Sequence, residues 1–156
     1  MFIDPAAGDC WHRDFPGTTD QVRVVRAFTA ALLADCPFLD EVLLGVDELA
    51  ANTIRHTRSG ELGGRFTVEL RRWHGPYDEH GKDTELVAVS VRDQGGPREP
   101  VADIRDPDDE DFWLAESGRG LWTVSRTAVR WGWFGNAAGR TVCAVFAAPA
   151  LLPVAA

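Results

Sequence analysis

The spacing of the hydrophobic residues changes once along this chain, and that change limits the possible folds most. Between residues 18 and 57, apolar residues recur every three or four positions, as in Val22, Val25 and Phe28, which predicts amphipathic helices. From residue 65 they alternate or form valine-rich runs, as in "RFTVELRRW" and "ELVAVSVRD", which predicts strands. Early helices and later strands favour an α+β fold, a two-layer α/β sandwich in which helices cover one face of a mixed or antiparallel sheet.

The segment boundaries follow from breaker residues. "DCP" ends a first helix, and a second runs from about Leu39 to Thr57. "VRWGWF" and "TVCAVFA" are predicted strands that "GNAAGR" joins as a hairpin. Between "ELVAVSVRD" and "GRGLWTVSRTA", which opens a further helix, we expect a loop with a short helical turn near "DFWLAE". The expected organisation is an irregular N-terminal segment at 1–17, one domain at 18–147 and a C-terminal tail at 148–156.

Composition excludes several classes of function. The chain has 156 residues and a formal net charge of −8, so a basic nucleic-acid footprint is not expected. No apolar run reaches the roughly 18–20 residues of a membrane span, and the first residues lack the features of a signal peptide. Three scattered cysteines are too few for a disulfide framework or a zinc site. We therefore expect a cytoplasmic protein with reduced thiols and no direct contact with nucleic acid or membrane.

The second predicted helix, "DELAANTIRH" at residues 47–56, carries two stripes. Leu49 and Ala50 belong to its core face, whereas Glu48, Asn52 and His56 recur at a spacing of four and stack along another face. This stripe is either a solvated face or the wall of a site. An amide oxygen suits Mg²⁺, and a carboxylate one turn away could act as a base. For His56 we favour a helix C-terminal cation or a solvated side chain over a phosphate donor.

Asp93 ends the valine-rich strand and is followed directly by "QGGP". A carboxylate at the edge of an apolar layer needs hydrogen-bond donors. Backbone amides of the adjacent turn could supply them, or the donor could be an exocyclic amine such as that of adenine. Gly95 and Gly96 would let the backbone turn sharply and approach a flat ring.

The segment "SGRGLWTV" places Gly118 and Gly120 where a loop becomes a helix, with Arg119 between them. Free amides and the positive dipole end at a helix start bind phosphate. The segment lacks the G-K-[ST] of a Walker A loop, and an ordinary turn explains it equally well when it is taken alone.

The order of these motifs carries more information than any one of them. "DELAANTIRH", "VRDQGG", "GRGL" and "GRTVCAVF" resemble the successive motifs of the Bergerat-fold (GHKL) ATPases, a superfamily that includes gyrase, Hsp90, histidine kinases and MutL. The short single domain and "RWGWF…GRTVCAVF" resemble in particular the anti-sigma-factor serine/threonine kinases of bacteria. The resemblance spans about residues 15 to 147.

The resemblance implies a role for each matching residue. Glu48 would be the general base for a protein hydroxyl, and Asn52 would hold Mg²⁺ against the phosphates of ATP. Asp93 would accept a hydrogen bond from the adenine amine, with Thr141 close to the same contact through water. The remaining residues implied are Gly95 against the adenine, Gly118, Arg119 and Gly120 at the phosphates, and Leu121 at the start of the helix behind them.

Two features depart from the pattern of the superfamily. Pro97 stands where the motif after the adenine-binding aspartate often has a second glycine, and proline fixes φ and removes an N–H donor. The segment expected to form the ATP lid, "DIRDPDDEDFWLAE", is rich in acids, which we expect to face solvent or a partner.

By resemblance, the chain would be an ATP-dependent kinase that phosphorylates a STAS-type anti-anti-sigma protein, also binds a sigma factor, and forms a homodimer. The alternative is a non-catalytic nucleotide-binding module that regulates a protein partner. A histidine kinase catalytic domain is disfavoured because no helix pair with a phospho-acceptor histidine precedes the motifs. A helix-on-sheet domain without a nucleotide would require four coincidental motifs.

Overall fold

A five-stranded antiparallel sheet runs through the described part of the chain, which is residues 8–76, 83–100 and 119–148 of a computed structural model. Three helices accompany it there, and the predicted α+β fold is confirmed. The elements are β1 (Asp9–Pro16), α1 (Gln21–Leu32), α2 (Leu39–His56), β2 (Arg65–Pro76), β3 (Asp83–Arg92), α3 (Arg119–Thr127), β4 (Arg130–Asn136) and β5 (Gly139–Ala147). The strand order is β1-β2-β3-β5-β4, and each neighbouring pair is antiparallel rather than mixed.

Strand β1 corrects the expectation of an irregular N-terminal segment. It pairs with β2 along its whole length and forms one edge of the sheet. Most of its residues are exposed, so its sequence carries little of the apolar alternation that reveals a strand. Phe15 is its one fully buried residue; its ring lies 5.7 Å from that of Phe66 and 5.6 Å from that of Phe28. This aromatic cluster holds β1 against β2 and α1.

Helix α2 has the predicted extent to within one residue, and its predicted core face is buried. The side chains of that face meet the side of the sheet on which β3 and β5 present alternate apolar residues. We call the opposite side, on which Arg92 and Thr141 pair, the outer face. The buried side chains that join α2 to the sheet are Val42, Val46, Leu49, Ala50, Val87, Val89, Val91, Val142, Ala144 and Phe146.

The remaining expectations concern smaller features. Strands β4 and β5 form the predicted hairpin around Ala137 and Ala138. Cys10, Cys36 and Cys143 are free, and burial raises the pKa of the Cys36 and Cys143 thiols. In the described ranges no helix has the length and apolarity needed to traverse a bilayer. The predicted helical turn near "DFWLAE" and the tail beyond residue 148 lie outside the described residues.

A glycine allows α2 to lie close to β5. A Cβ built on Gly45 would overlap with Cζ of Phe146 and lie 3.1 Å from its Cε2. Phe146 is only 1% exposed, so its ring has no free space into which it could move.

We expect Gly45→Ala to lower the free energy of unfolding by about 1–3 kcal/mol, as overpacking does, despite the higher helix propensity of alanine. Urea unfolding measures this change. Gly132→Ala is the matched control, because nothing among the described residues lies within 4 Å of a Cβ built there. Equal stability of the two variants would show that α2 and β5 are loosely packed.

Candidate functional site

The second stripe of α2 faces the start of α3. A Cβ built on Gly120 would overlap with Oε2 of Glu48 and lie 3.3 Å from its Cδ and 3.6 Å from Nδ2 of Asn52. Glu48 and Asn52 are both partly buried. The structure therefore brings together three of the residues that the sequence places in the site: the carboxylate, the amide and the glycine.

Helix α3 is held in place by its apolar face. Its described part runs from Arg119 to Thr127, and Leu121 and Val124, 5% and 0% exposed, join the hydrophobic core. The backbone at Gly120 therefore lies beside the stripe of α2. Gly118 lies outside the described residues, so the predicted role of that glycine remains a prediction.

Asp93 is buried and held by backbone amides. Its Oδ1 accepts hydrogen bonds from the N–H of Gly95 at 2.6 Å and the N–H of Arg140 at 3.2 Å. Its own N–H donates to the carbonyl of Arg140 at 2.8 Å. Backbone amides therefore donate to the Asp93 carboxylate, as the first of the two interpretations of this residue proposed. A carboxylate has two oxygens and about four acceptor positions, so these bonds are compatible with a further donor.

The loop after Asp93 lies between the turn that follows α2 and the β4–β5 hairpin. Gly95 has φ +81°, and a Cβ built there would overlap with the carbonyl oxygen of Ala137. The N–H of Gly96 donates to that same oxygen at 3.1 Å, and the N–H of Arg58 donates to the carbonyl of Gly95 at 2.8 Å. The Arg58 side chain also donates to Ala137 O. Only glycine fits at position 95, as the sharp turn predicted there requires.

Arg140 is a site residue that sequence reasoning missed. It is 4% exposed, and its Nη1 donates to the carbonyls of Gly96 at 3.0 Å and Arg98 at 2.6 Å. Its guanidinium carbon lies 5.6 Å from the centre of the Trp133 ring, while its Nε is buried and finds no hydrogen-bond acceptor within the described residues. The two carbonyls flank Pro97, so Arg140 fixes the backbone where the sequence departs from the superfamily.

Thr141 pairs with Arg92 and Phe134 and lines a cavity of about 1020 Å³ together with Asp93, Thr67 and Ser90. Its contact with the adenine, which the resemblance implies, remains a prediction. The neighbouring position, Arg140, is the one whose N–H and side chain serve Asp93 and its loop. Strand periodicity could have shown this, because Val142, Ala144 and Phe146 are predicted core residues and share their parity with Arg140.

His56 does not fit the expectation of a helix C-terminal cation. Burial lowers the pKa of its imidazole, and the positive charges of Arg55 and Arg98 lower it further. The neutral form is therefore favoured at neutral pH, although the dipole of α2 would favour a cation at that position. His56 marks the end of α2 that meets the Gly96 loop, since a Cβ on Gly96 would lie 3.2 Å from the His56 carbonyl oxygen.

Metal-ligating side chains are sparse in the described part of the chain, which holds no group of three or more His, Cys, Asp or Glu able to bind a metal. Asn52 offers an amide group beside the start of α3. This donor set fits a magnesium ion that takes one or two protein oxygens and keeps phosphate oxygens and water as its other ligands.

The fold and the two ends of the site together define an ATPase domain of the histidine-kinase-like (GHKL) type. Residues 15–146 match the family model described as the histidine kinase-like ATPase domain. Because the match covers most of the chain, the chain belongs to this family, whose domains bind ATP. A comparison with curated proteins found no match.

The contacts of Arg140 generate a prediction about stability. Arg140→Met keeps much of the side-chain volume but leaves two carbonyls without their donor, and we expect a loss of about 1–3 kcal/mol in the free energy of unfolding. Hydrogen exchange of the Gly96 amide should also become faster, because the loop loses its brace. Arg92→Met, an exposed arginine of β3, is the control and should change neither quantity. Unchanged exchange in Arg140→Met would show that the hairpin alone holds the loop.

Proposed function

We propose that the chain binds Mg²⁺-ATP along α2, with the adenine at the Asp93–Gly96 loop and the phosphates at the start of α3. One observation carries this proposal: the stripe of Glu48 and Asn52 contacts Gly120, while the other end of the same helix contacts Gly96. Eight residues of helix separate Glu48 from His56, which is about 12 Å along the axis. The proposed adenine and phosphate ends of the site would thus both be positioned by one rigid helix.

At the base end, we assign to Asp93 the hydrogen bond from the exocyclic amine of adenine. Gly95 N and Arg140 N both donate to Oδ1, which fixes the plane of the carboxylate. Oδ2 would then accept from the amine. Gly95 would present its backbone to the ring through the turn that its positive φ allows, since the side from which a Cβ would project is filled by Ala137.

At the phosphate end, the amides at the start of α3 would bind phosphate oxygens, and Asn52 would hold the magnesium ion. The ion supplies charge neutralisation at the transferred phosphoryl group. Arg119 and Gly120 are the first described residues of the helix, and Leu121 anchors it in the core.

The finer proposal is a protein serine/threonine kinase of the anti-sigma-factor type. The serine oxygen of a STAS-type anti-anti-sigma protein attacks the γ-phosphorus, and its proton passes to the carboxylate of Glu48. The bond between the γ-phosphorus and the bridging oxygen breaks, and ADP leaves with that electron pair. The added negative charge on the serine would then repel the two proteins. A sigma factor would compete for the kinase, which would act as a homodimer.

The alternative proposal is a nucleotide-binding module that regulates a partner without phosphoryl transfer. Arg140 favours it, because the carbonyls on both sides of Pro97 are held by one buried guanidinium. The backbone at residues 96–98 is therefore fixed before any nucleotide binds, whereas many phosphoryl-transfer sites are completed by a rearrangement on binding.

Nucleotide binding is the first test. We expect the wild type to bind Mg²⁺-ATP in calorimetry, and Asn52→Ala and Asp93→Asn each to weaken binding by about 10- to 100-fold, the effect of losing one charge-assisted contact. Excess EDTA should weaken wild-type binding but add little to the defect of Asn52→Ala. Asp9→Asn, at the exposed start of β1, is the matched control for Asp93. If the wild type does not bind ATP even at millimolar concentration, the proposal fails, and the domain would act only through contacts with other proteins.

Phosphoryl transfer is the second test. With γ-labelled ATP and a STAS-domain protein, Glu48→Gln should reduce transfer by about 10²–10⁴-fold, the usual contribution of a general base, while it retains ATP binding. Glu61→Gln, an exposed glutamate outside the site, should transfer at the wild-type rate. Binding without transfer in the wild type would support the non-catalytic module instead.

A further inference from the structure

The contact between Gly120 and Glu48 does more than place two site residues near each other. A Cβ at position 120 would overlap with Oε2 of Glu48 and lie 3.3 Å from Cδ, but it would lie 3.6 Å from Nδ2 of Asn52, an ordinary van der Waals distance. The space above Gly120 is therefore filled by one side chain, the carboxylate of Glu48. We propose that Gly120 is a positioning residue for Glu48. Because Gly120 has no side chain, the carboxylate of Glu48, the proposed general base, can occupy its position.

The surroundings decide which group would yield to a side chain at position 120. Helix α3 cannot move away easily, because Leu121 and Val124 are buried in the core directly after Gly120. Helix α2 is held in the same way by Leu49 and Ala50, which are 2% and 0% exposed. The carboxylate of Glu48 lies at the end of a flexible side chain, so the carboxylate would move, by a distance on the order of 1 Å.

A displacement of that size affects transfer and binding differently. Misplacing a reacting group by about 1 Å can cost a factor of about 10² in rate. Asn52, one turn further along α2, keeps its position because the added methyl only touches it. The geometry thus predicts that Gly120 separates the two functions: transfer through Glu48 depends on it, and magnesium-nucleotide binding through Asn52 does not. This inference rests on the proposed kinase function.

The test compares Gly120→Ala with a rescue variant. We expect Gly120→Ala to transfer phosphate about 100-fold more slowly than the wild type when both are measured at saturating Mg²⁺-ATP, so that any change in phosphate binding does not enter the comparison. Glu48→Asp shortens the side chain by one methylene and removes the overlap. The double variant Gly120→Ala/Glu48→Asp should therefore transfer at about the rate of Glu48→Asp alone, so that the Gly120→Ala change costs little once the overlap is absent. Gly132→Ala, on β4, is the control for the glycine-to-alanine change.

Each outcome has a distinct meaning. If Gly120→Ala slows transfer as much in the Glu48→Asp background as in the wild type, Gly120 serves only the phosphates and the inference is overturned. If the wild type itself transfers no phosphate, the proposed kinase function fails, and the steric contact is read from thermal unfolding instead. Glu48→Asp should then recover the stability lost in Gly120→Ala, whereas additive losses would reject the contact.

Discussion

The packing of α2 onto the sheet is the interaction on which the rest of this structure depends. The helix is 18 residues long, and its apolar face meets β3 and β5, where Gly45 admits the Phe146 ring. That contact fixes the rotation of the helix about its axis. Once the rotation is fixed, Glu48 and Asn52 must face α3, because they lie on the next face round the helix from the core stripe. The core and the site are therefore two consequences of one packed surface.

Much of the fold follows from hydrophobic spacing. The extent of α2, the valine-rich centre of the sheet and the β4–β5 hairpin all carry strong local signals, namely helical periodicity, continuous apolar runs and turn residues. Strand β1 carried none of these. An edge strand with a single fully buried residue, Phe15, gains its structure from pairing with β2 rather than from its own pattern, and pairing between segments fifty residues apart is not visible in a single sequence.

The sequence predicts site residues well where a motif specifies the residue type and position. It predicts them less well where a residue acts through contacts between distant segments. Glu48, Asn52 and Gly120 lie together as the motif order suggested, and Gly95 has the positive φ that a sharp turn requires. Arg140 was overlooked because a motif was aligned by its threonine instead of by the parity of the strand. A buried arginine that serves two loop carbonyls leaves no signature in sequence, since its partners are backbone atoms that any residue can supply.

The two ends of the site differ in how firmly they are built. At the Asp93 loop, hydrogen bonds from the hairpin, from Arg58 and from Arg140 fix the Asp93 carboxylate and the backbone of Gly95 and Gly96. At the start of α3, the carboxylate of Glu48 lies against Gly120, where no side chain stands between the two helices. A preorganised site binds its ligand with little cost in ordering, whereas a carboxylate at the end of a flexible side chain can respond to small shifts of the neighbouring helix. Under the proposed function, the fold would set nucleotide recognition, and shifts of α3 against Glu48 would adjust the rate of transfer.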